Sequence, residues 1–197
     1  MDSELQPLIM DICNGWLPKE AVELIGDSDL IGLAKPDNGI RPIALLEVLR
    51  NLAGAMVLKQ TQQTLKEALF PKQLFVAVSG GTEIVIHATR AIFERMPNWI
   101  LLQVDFENMF NELSREGALD AVMRHAPEAL PFVRAFYARD AIISLRVSRE
   151  EMIGLFCMSS QGVFQGDVIA GAVACCLLLD YQNELQAYVE EHSEEIR

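Results

Sequence analysis

Asp105 follows directly on the apolar run Trp99-Ile-Leu-Leu-Gln-Val104, and two aromatic residues, Phe106 and Phe110, come just after it. A carboxylate at the end of a buried strand has a rigid support, the arrangement with which phosphoryl-transfer enzymes hold a divalent cation. The same residue could simply end the strand and cap the next helix. Two bases, Lys35 and Arg41, flank the turn Asp37-Asn-Gly39 between two short runs of strand character. A hairpin there holds the two cations near one another. Arg bonds a phosphate bidentately and Lys acts as a point charge, so the pair suits a triphosphate. Read more plainly, they are solvated bases on an exposed hairpin. In Gln165-Gly-Asp167, Gly166 lacks a Cβ and lets backbone and the Gln165 amide approach a ligand. Alternatively, Asp167 is only the first-turn acid of the helix that follows. Glu107 falls on the same face as Asp105 if the strand continues. Mg²⁺ held by one or two carboxylates takes its other ligands from substrate phosphates.

The elements that must carry these residues are readable in outline. Leu5, Leu8, Ile9 and Ile12 predict a helix over residues 3–13, and Pro18 opens a second, with an exit turn over Gly26 to Asp29. Leu45 to Leu69 reads as one long amphipathic helix closed by Pro71. Gly80-Gly-Thr82 starts another, capped by Thr82 and ended near Met96 by Pro97-Asn98; its glycine spacing is not that of a phosphate loop. The Asp105 run is expected at the centre of a sheet. Ser114 precedes a helix over Gly117 to His125, and Pro127 and Pro131 punctuate a helix reaching Tyr137. Residues 141–147 and 152–158 form a hairpin around Ser148-Arg-Glu-Glu151, which delivers the chain to Gln165-Gly-Asp167 and a last, buried helix. The acidic tail after Leu185 reads as a solvated helix end.

Composition narrows the function classes. The 197 residues carry 28 acids against 16 Lys and Arg, a net charge of −12. That sign opposes gripping a phosphate backbone, so an RNA or DNA template is disfavoured and a protein partner with a basic surface, or self-association, is favoured. Cys13, Cys157, Cys175 and Cys176 contain no Cys-x-x-Cys pair, and His87, His125 and His192 are scattered. Zinc is therefore poorly supported, the adjacent cysteines read as buried packers, and a reducing, intracellular setting fits. The first residues form no secretory signal, and the longest apolar run, Val168 to Leu179, is too short to span a bilayer.

Four segments, in order, resemble the reverse transcriptase family, particularly that of non-LTR retroelements. Leu33-Ala-Lys-Pro-Asp-Asn-Gly-Ile-Arg-Pro-Ile-Ala44 resembles the fingers hairpin, and Gln73-Leu-Phe-Val-Ala-Val-Ser-Gly-Gly-Thr-Glu83 the approach to the palm. Val104-Asp-Phe-Glu-Asn-Met-Phe-Asn111 is similar to the first catalytic motif, and Gln161-Gly-Val-Phe-Gln-Gly-Asp167 to the motif opening the palm's long helix. The resemblance spans roughly residues 30–185. It implies an α+β, helix-rich polymerase fingers/palm-like fold with a small antiparallel palm sheet. The parts would be an N-terminal helical segment (1–29), a fingers-like region (30–98) and a partial palm-like region (99–197) in one compact unit. It also implies RNA-directed DNA polymerase (nucleotidyltransferase) chemistry, with Asp105 as the catalytic Mg²⁺ ligand. Lys35, Arg41, Phe106, Phe110, Gln165 and Gly166 would bind the nucleotide, with Phe110 excluding a ribose 2′-hydroxyl.

The chain departs from the family at several positions. Val168 stands where a proline is usual and Glu107 where many relatives carry lysine; Phe75 and Ala77 replace glycines. The second motif, with adjacent aspartates, has no counterpart, since no Asp-Asp pair occurs in these residues. Two dications held about 4 Å apart need several carboxylates. The expectation is a reverse transcriptase-like domain not competent alone: a pseudoenzyme, or one subunit of a split polymerase. The alternative is a retroelement-derived structural or adaptor subunit with no nucleic-acid role.

Overall fold

The computed structural model describes residues 4–36, 38–146 and 152–192. Two amino-terminal helices, α1 (Leu5–Cys13) and α2 (Lys19–Gly26), lead into strand β1 (Ser28–Ala34) and its hairpin partner β2 (Ile40–Leu46). The expected exit turn over Gly26 to Asp29 is shorter than predicted, because β1 already begins at Ser28. Helices α3 (Val48–Gln60), α4 (Gln62–Leu69) and α5 (Gly81–Arg95) follow, then the single turn α6 (Met109–Glu112). Next come α7 (Arg115–His125), a 3₁₀ turn at Pro127–Ala129 and α8 (Leu130–Tyr137). The second hairpin, β3 (Ala141–Arg146) and β4 (Met152–Ser159), delivers the chain to α9 (Ala170–Glu191). The expected turn at residues 148–151, Asp37 and the tail beyond 192 lie outside the described residues.

The molecule is α+β and helix-rich, as the sequence implied. Its four strands lie in the order β2-β1-β3-β4. The sheet is mixed rather than antiparallel: each hairpin is antiparallel, but β1 runs parallel to β3, with Ser28 opposite Ile143. A parallel pair requires a long crossover, here the helices α3 to α8. The expected strand over Trp99 to Val104 is absent from it. Those residues form no regular structure and pair with no strand among the described residues, and they are exposed to 94% at Ile100 and 81% at Leu102. Apolar β-formers supply propensity only, and a strand persists through pairing, for which no partner exists among the described residues.

Local chemistry explains the element boundaries. Ser114 caps α7 by accepting from the Gly117 N–H at 3.2 Å, with Glu116 in the first turn and Arg124 and His125 in the last, each complementing the helix dipole. The single helix expected over Leu45 to Leu69 is two, meeting at Thr61. The Thr61 hydroxyl donates to the Val57 carbonyl at 2.9 Å, the back-bonding that disturbs a helix. The cap of α5 is Gly80 (φ 70°), not Thr82, because the chain enters through a left-handed turn. Ala77 also lies in left-handed space (φ 60°), a conformation that costs a Cβ-bearing residue about 1 kcal/mol and explains why glycine is expected there. No helix among the described residues is long and apolar enough to cross a membrane.

The core joins α7, α8 and the first half of α9 to α1, α3 and α4, around Phe132, Phe136, Val122, Val57 and Val173. Cys175 and Cys176 belong to it. Burial pushes their thiols up to about 11 and about 12, so they remain protonated and act as small packing groups. Arg50 crosses this interior with its side chain fully buried. Its Nη2 donates to Asp167 Oδ2 at 2.7 Å and its Nη1 to the Gly26 carbonyl at 3.0 Å. The guanidinium carbon lies 4.4 Å from the Phe136 ring centroid.

Asp167→Asn leaves the Arg50 charge buried without its counter-charge and should cost about 3–5 kcal/mol in denaturant unfolding. Replacing both partners, as in Arg50→Met with Asp167→Leu, should cost less than the two single changes added together. At the α7–α9 contact, Asp180 accepts from Arg124 Nη2 at 2.5 Å and lies 2.7 Å from His125 Nε2. Burial acts to raise the Asp180 carboxyl, but these two hydrogen bonds outweigh it and hold the group below its ordinary range. A depressed carboxylate stabilises the fold above its unfolded value and loses that effect as pH falls through the folded one. The stability advantage of the natural chain over Asp180→Asn should therefore shrink as pH drops below about 4, checked by urea titrations across pH.

Candidate nucleotide-binding site

The β1–β2 turn is closed by the Lys35 N–H donating to the Gly39 carbonyl at 2.8 Å, with Asn38 in left-handed conformation (φ 63°). Lys35 follows β1 directly and Arg41 sits second on β2 opposite Leu33, so both bases lie at the turn end of the hairpin. Across from them, the chain leaves the irregular 99–104 segment and turns at Asn108 (φ 49°) into α6. That turn sends Asp105 and Phe110 to one side and Glu107 to the other.

A cleft of about 400 Å³ lies between the two turns, lined by Lys35, Arg41, Pro42, Asp105, Phe106, Asn108, Met109, Phe110, Asn111 and Gln165. Its volume is that of a small-molecule site. A second opening of about 310 Å³ adjoins it and shares Pro42, Asn111 and Gln165. That opening carries no charged side chain: Leu30, Ile143, Val163 and Phe164 mix with the amide and hydroxyl groups of Gln161, Ser159 and Ser160. The pair thus offers a region with two cations and one carboxylate beside an apolar, amide-bearing region.

The segment Gln161–Asp167 holds the cleft in shape. The Val163 N–H donates to the Phe110 carbonyl at 2.7 Å, and Gly162 N–H to the Leu113 carbonyl at 2.9 Å. On the other flank, Ala44 N–H donates to the Gln165 carbonyl at 2.9 Å, fastening the segment to β2. Arg115 reinforces it from below, its Nε donating to the Gly162 carbonyl and its Nη1 to the Ser159 carbonyl, both at 2.8 Å. Burial lowers the Arg115 pKa from its ordinary value, partly offset by Tyr137 and Asp140. At the end of the segment the Tyr137 hydroxyl donates to Asp167 Oδ2 at 2.6 Å and accepts from the Phe164 N–H at 3.2 Å. Burial, with the Asp167 charge, pushes that hydroxyl well above its ordinary range and keeps it a donor.

Of the residues named from sequence, Lys35, Arg41, Asp105, Phe106, Phe110 and Gln165 line the one cleft. Gly166 does not. It stands behind Gln165 with φ 130°, and a Cβ there would meet the Ala44 carbonyl oxygen at 2.3 Å, so its part is close packing against β2. Asp167 is more than the first-turn acid considered from sequence. It does accept from Ile169 N–H at 3.1 Å, but it is buried against Arg50 and Tyr137. Glu107 parts from Asp105 and lines a different groove, because the strand that would align them is not formed. Asn108, Asn111, Met109 and Arg50 were not singled out from sequence. A lone arginine among Leu45, Leu46, Leu49 and Leu52 was the available signal for the last.

Among the described residues no group of three or more His, Cys, Asp or Glu side chains converges as a metal site. Asp105 is, among the described residues, the one carboxylate lining the cleft, beside the amides of Asn108, Asn111 and Gln165. That donor set falls short of holding a cation pair by itself. No protein-family model matches the chain, and comparison with curated proteins finds no match.

Gly166→Ala should destabilise the chain by about 1–3 kcal/mol, since the added methyl must push the Gln165 turn off β2 against an unfavourable backbone angle. Chemical denaturation measures it, and an unchanged midpoint would show that the turn is not clamped.

Proposed function

We propose that the chain is a reverse transcriptase-like domain that binds a nucleotide in the Lys35–Arg41–Asp105 cleft and does not polymerise with these 197 residues alone. The observation that carries this reading is the convergence on one cleft of six residues that the motif resemblance named from three separate parts of the chain. Lys35 and Arg41 would neutralise the phosphates, and Asp105 would hold a Mg²⁺ whose other ligands are phosphate oxygens and water. Phe110, half-buried at the cleft wall, would crowd the sugar. The uncharged adjoining opening suits the base. One carboxylate supports binding, whereas nucleotide addition by two cations needs more acids, supplied in the split-polymerase form by a partner.

A second reading, an adaptor subunit without a nucleic-acid role, is favoured by the exposed apolar 99–104 segment and the net charge of −12. Calorimetric titration with a deoxynucleoside triphosphate separates the two. The nucleotide reading expects Mg²⁺-assisted binding, weakened about tenfold or more by Lys35→Ala or Arg41→Ala, each removing a charge-assisted contact. Asp105→Asn should abolish the Mg²⁺ effect while leaving the thermal midpoint in place. No heat of binding at low salt, with or without Mg²⁺, would favour the adaptor.

A further inference from the structure

The second half of α9 is helical and exposed, tied to the chain after α4 by Lys72 and Gln73, which bond Asn183 and Gln182. From Tyr181 to Glu191 every residue is exposed, while residues 170–177 are buried or nearly so. Leu178, Tyr181, Leu185 and Tyr188 recur at helical spacing along one face of this half. The stripe begins in a groove of about 330 Å³ between α9 and α6, lined by Phe106, Met109, Leu113 and Leu177, with Glu107 and Glu112 on its walls. A continuous apolar track therefore runs from the groove to the end of the helix.

Charge decides what covers it. Within α9 there are four acids, Asp180, Glu184, Glu190 and Glu191, and no Lys or Arg. Its last turn carries no base, so the negative end of the helix dipole adds to the same field. Lys72 bonds Asn183 on the far side of the helix from the stripe. Two copies packed antiparallel through this face would bring Glu184 and Glu191, which flank the stripe, towards their equivalents with no Lys or Arg of α9 between them, which disfavours a second copy as the occupant.

We infer that the groove and the Leu178–Tyr188 stripe form a docking surface for an amphipathic helix of a partner protein, one with apolar anchors at helical spacing flanked by Lys and Arg. Apolar anchors fill the groove and track, and the flanking cations meet Glu107, Glu112, Glu184 and Glu191, the helix-in-groove mode of recognition. The inference does not rest on the nucleotide reading, since Leu185 and Tyr188 lie outside the cleft.

The test is fluorescence anisotropy of the full chain with three labelled helical peptides. One has leucines on a single face flanked by lysines, the second the same composition with leucines dispersed, the third glutamates for lysines. The first should bind about tenfold or more tighter than the others, and Leu185→Asp or Tyr188→Asp should remove that preference, as loss of an interface anchor does. Both positions are exposed, so the thermal midpoint should not move. Glu184→Lys with Glu191→Lys should reverse the order of the lysine and glutamate peptides. Equal binding of the dispersed-leucine peptide would reduce the effect to bulk charge and overturn the proposal. So would the absence of binding, or a sedimenting dimer that Leu185→Asp dissolves.

Discussion

A guanidinium and a carboxylate, Arg50 and Asp167, face each other in the interior at 2.7 Å with their side chains withdrawn from water. Burying two charges costs several kcal/mol each unless their remaining donors and acceptors are met. Here Asp167 also accepts from Tyr137 and from the backbone of Ile169, and Arg50 donates to the Gly26 carbonyl with its guanidinium over the Phe136 ring, while its buried Nε has no hydrogen-bond partner among the described residues. The pair ties α3 to the start of α9. It therefore fixes where the Gln161–Asp167 segment ends. The other end is fixed by Arg115, and the middle is bonded to Phe110 and Ala44 on opposite sides. A seven-residue turn pinned at so many points can present Gln165 in one orientation, and the hairpin and α6 are brought to facing positions by it.

The two electrostatic regions of the surface behave independently. At physiological ionic strength fields decay over about 8 Å, so a net charge of −12 does not cancel a local pair of cations. Lys35 and Arg41 still place two cations on one cleft beside Asp105. The α9 face, with acids and no base, defines the reverse. Reading function from the total alone would miss the first and mislocate the second. Phe106 and Met109 line both the cleft and the α9 groove, so the two surfaces are back to back across a single turn of chain.

Features governed by neighbouring residues were legible in the sequence. The β1–β2 hairpin, the helix after Ser114, the proline-punctuated α8 and the pairing of β3 with β4 all arise from local rules, and the elements appear close to where those rules put them. The cleft was legible for a related reason: its members sit at the ends of such elements. Thr61 back-bonding, which splits one helix into two, is a subtler local effect that periodicity averages away. Long-range pairing was not legible. Nothing in Ser28 to Leu30 announces a parallel neighbour at Ile143 to Leu145. Arg50 was hidden by its own helix, where a long basic side chain is ordinarily solvated.

The residues from Gly81 to Val104 differ in kind from the rest. Along α5 only Gly81 is buried, and the irregular segment after it exposes most of its apolar surface. Few buried contacts place a segment at the low end of local stability. Asp105 hangs at the end of this segment, held by the Asn108 turn, whereas Gln165 is clamped by the buried network. The cleft is thus unequally built: its amide wall is held by the buried network, while Asp105 follows a segment with few buried contacts. Metal-assisted chemistry demands ligands fixed to within about 0.5 Å. A strand paired to residues 99–104 would fix that segment and cover its apolar side chains in the same step.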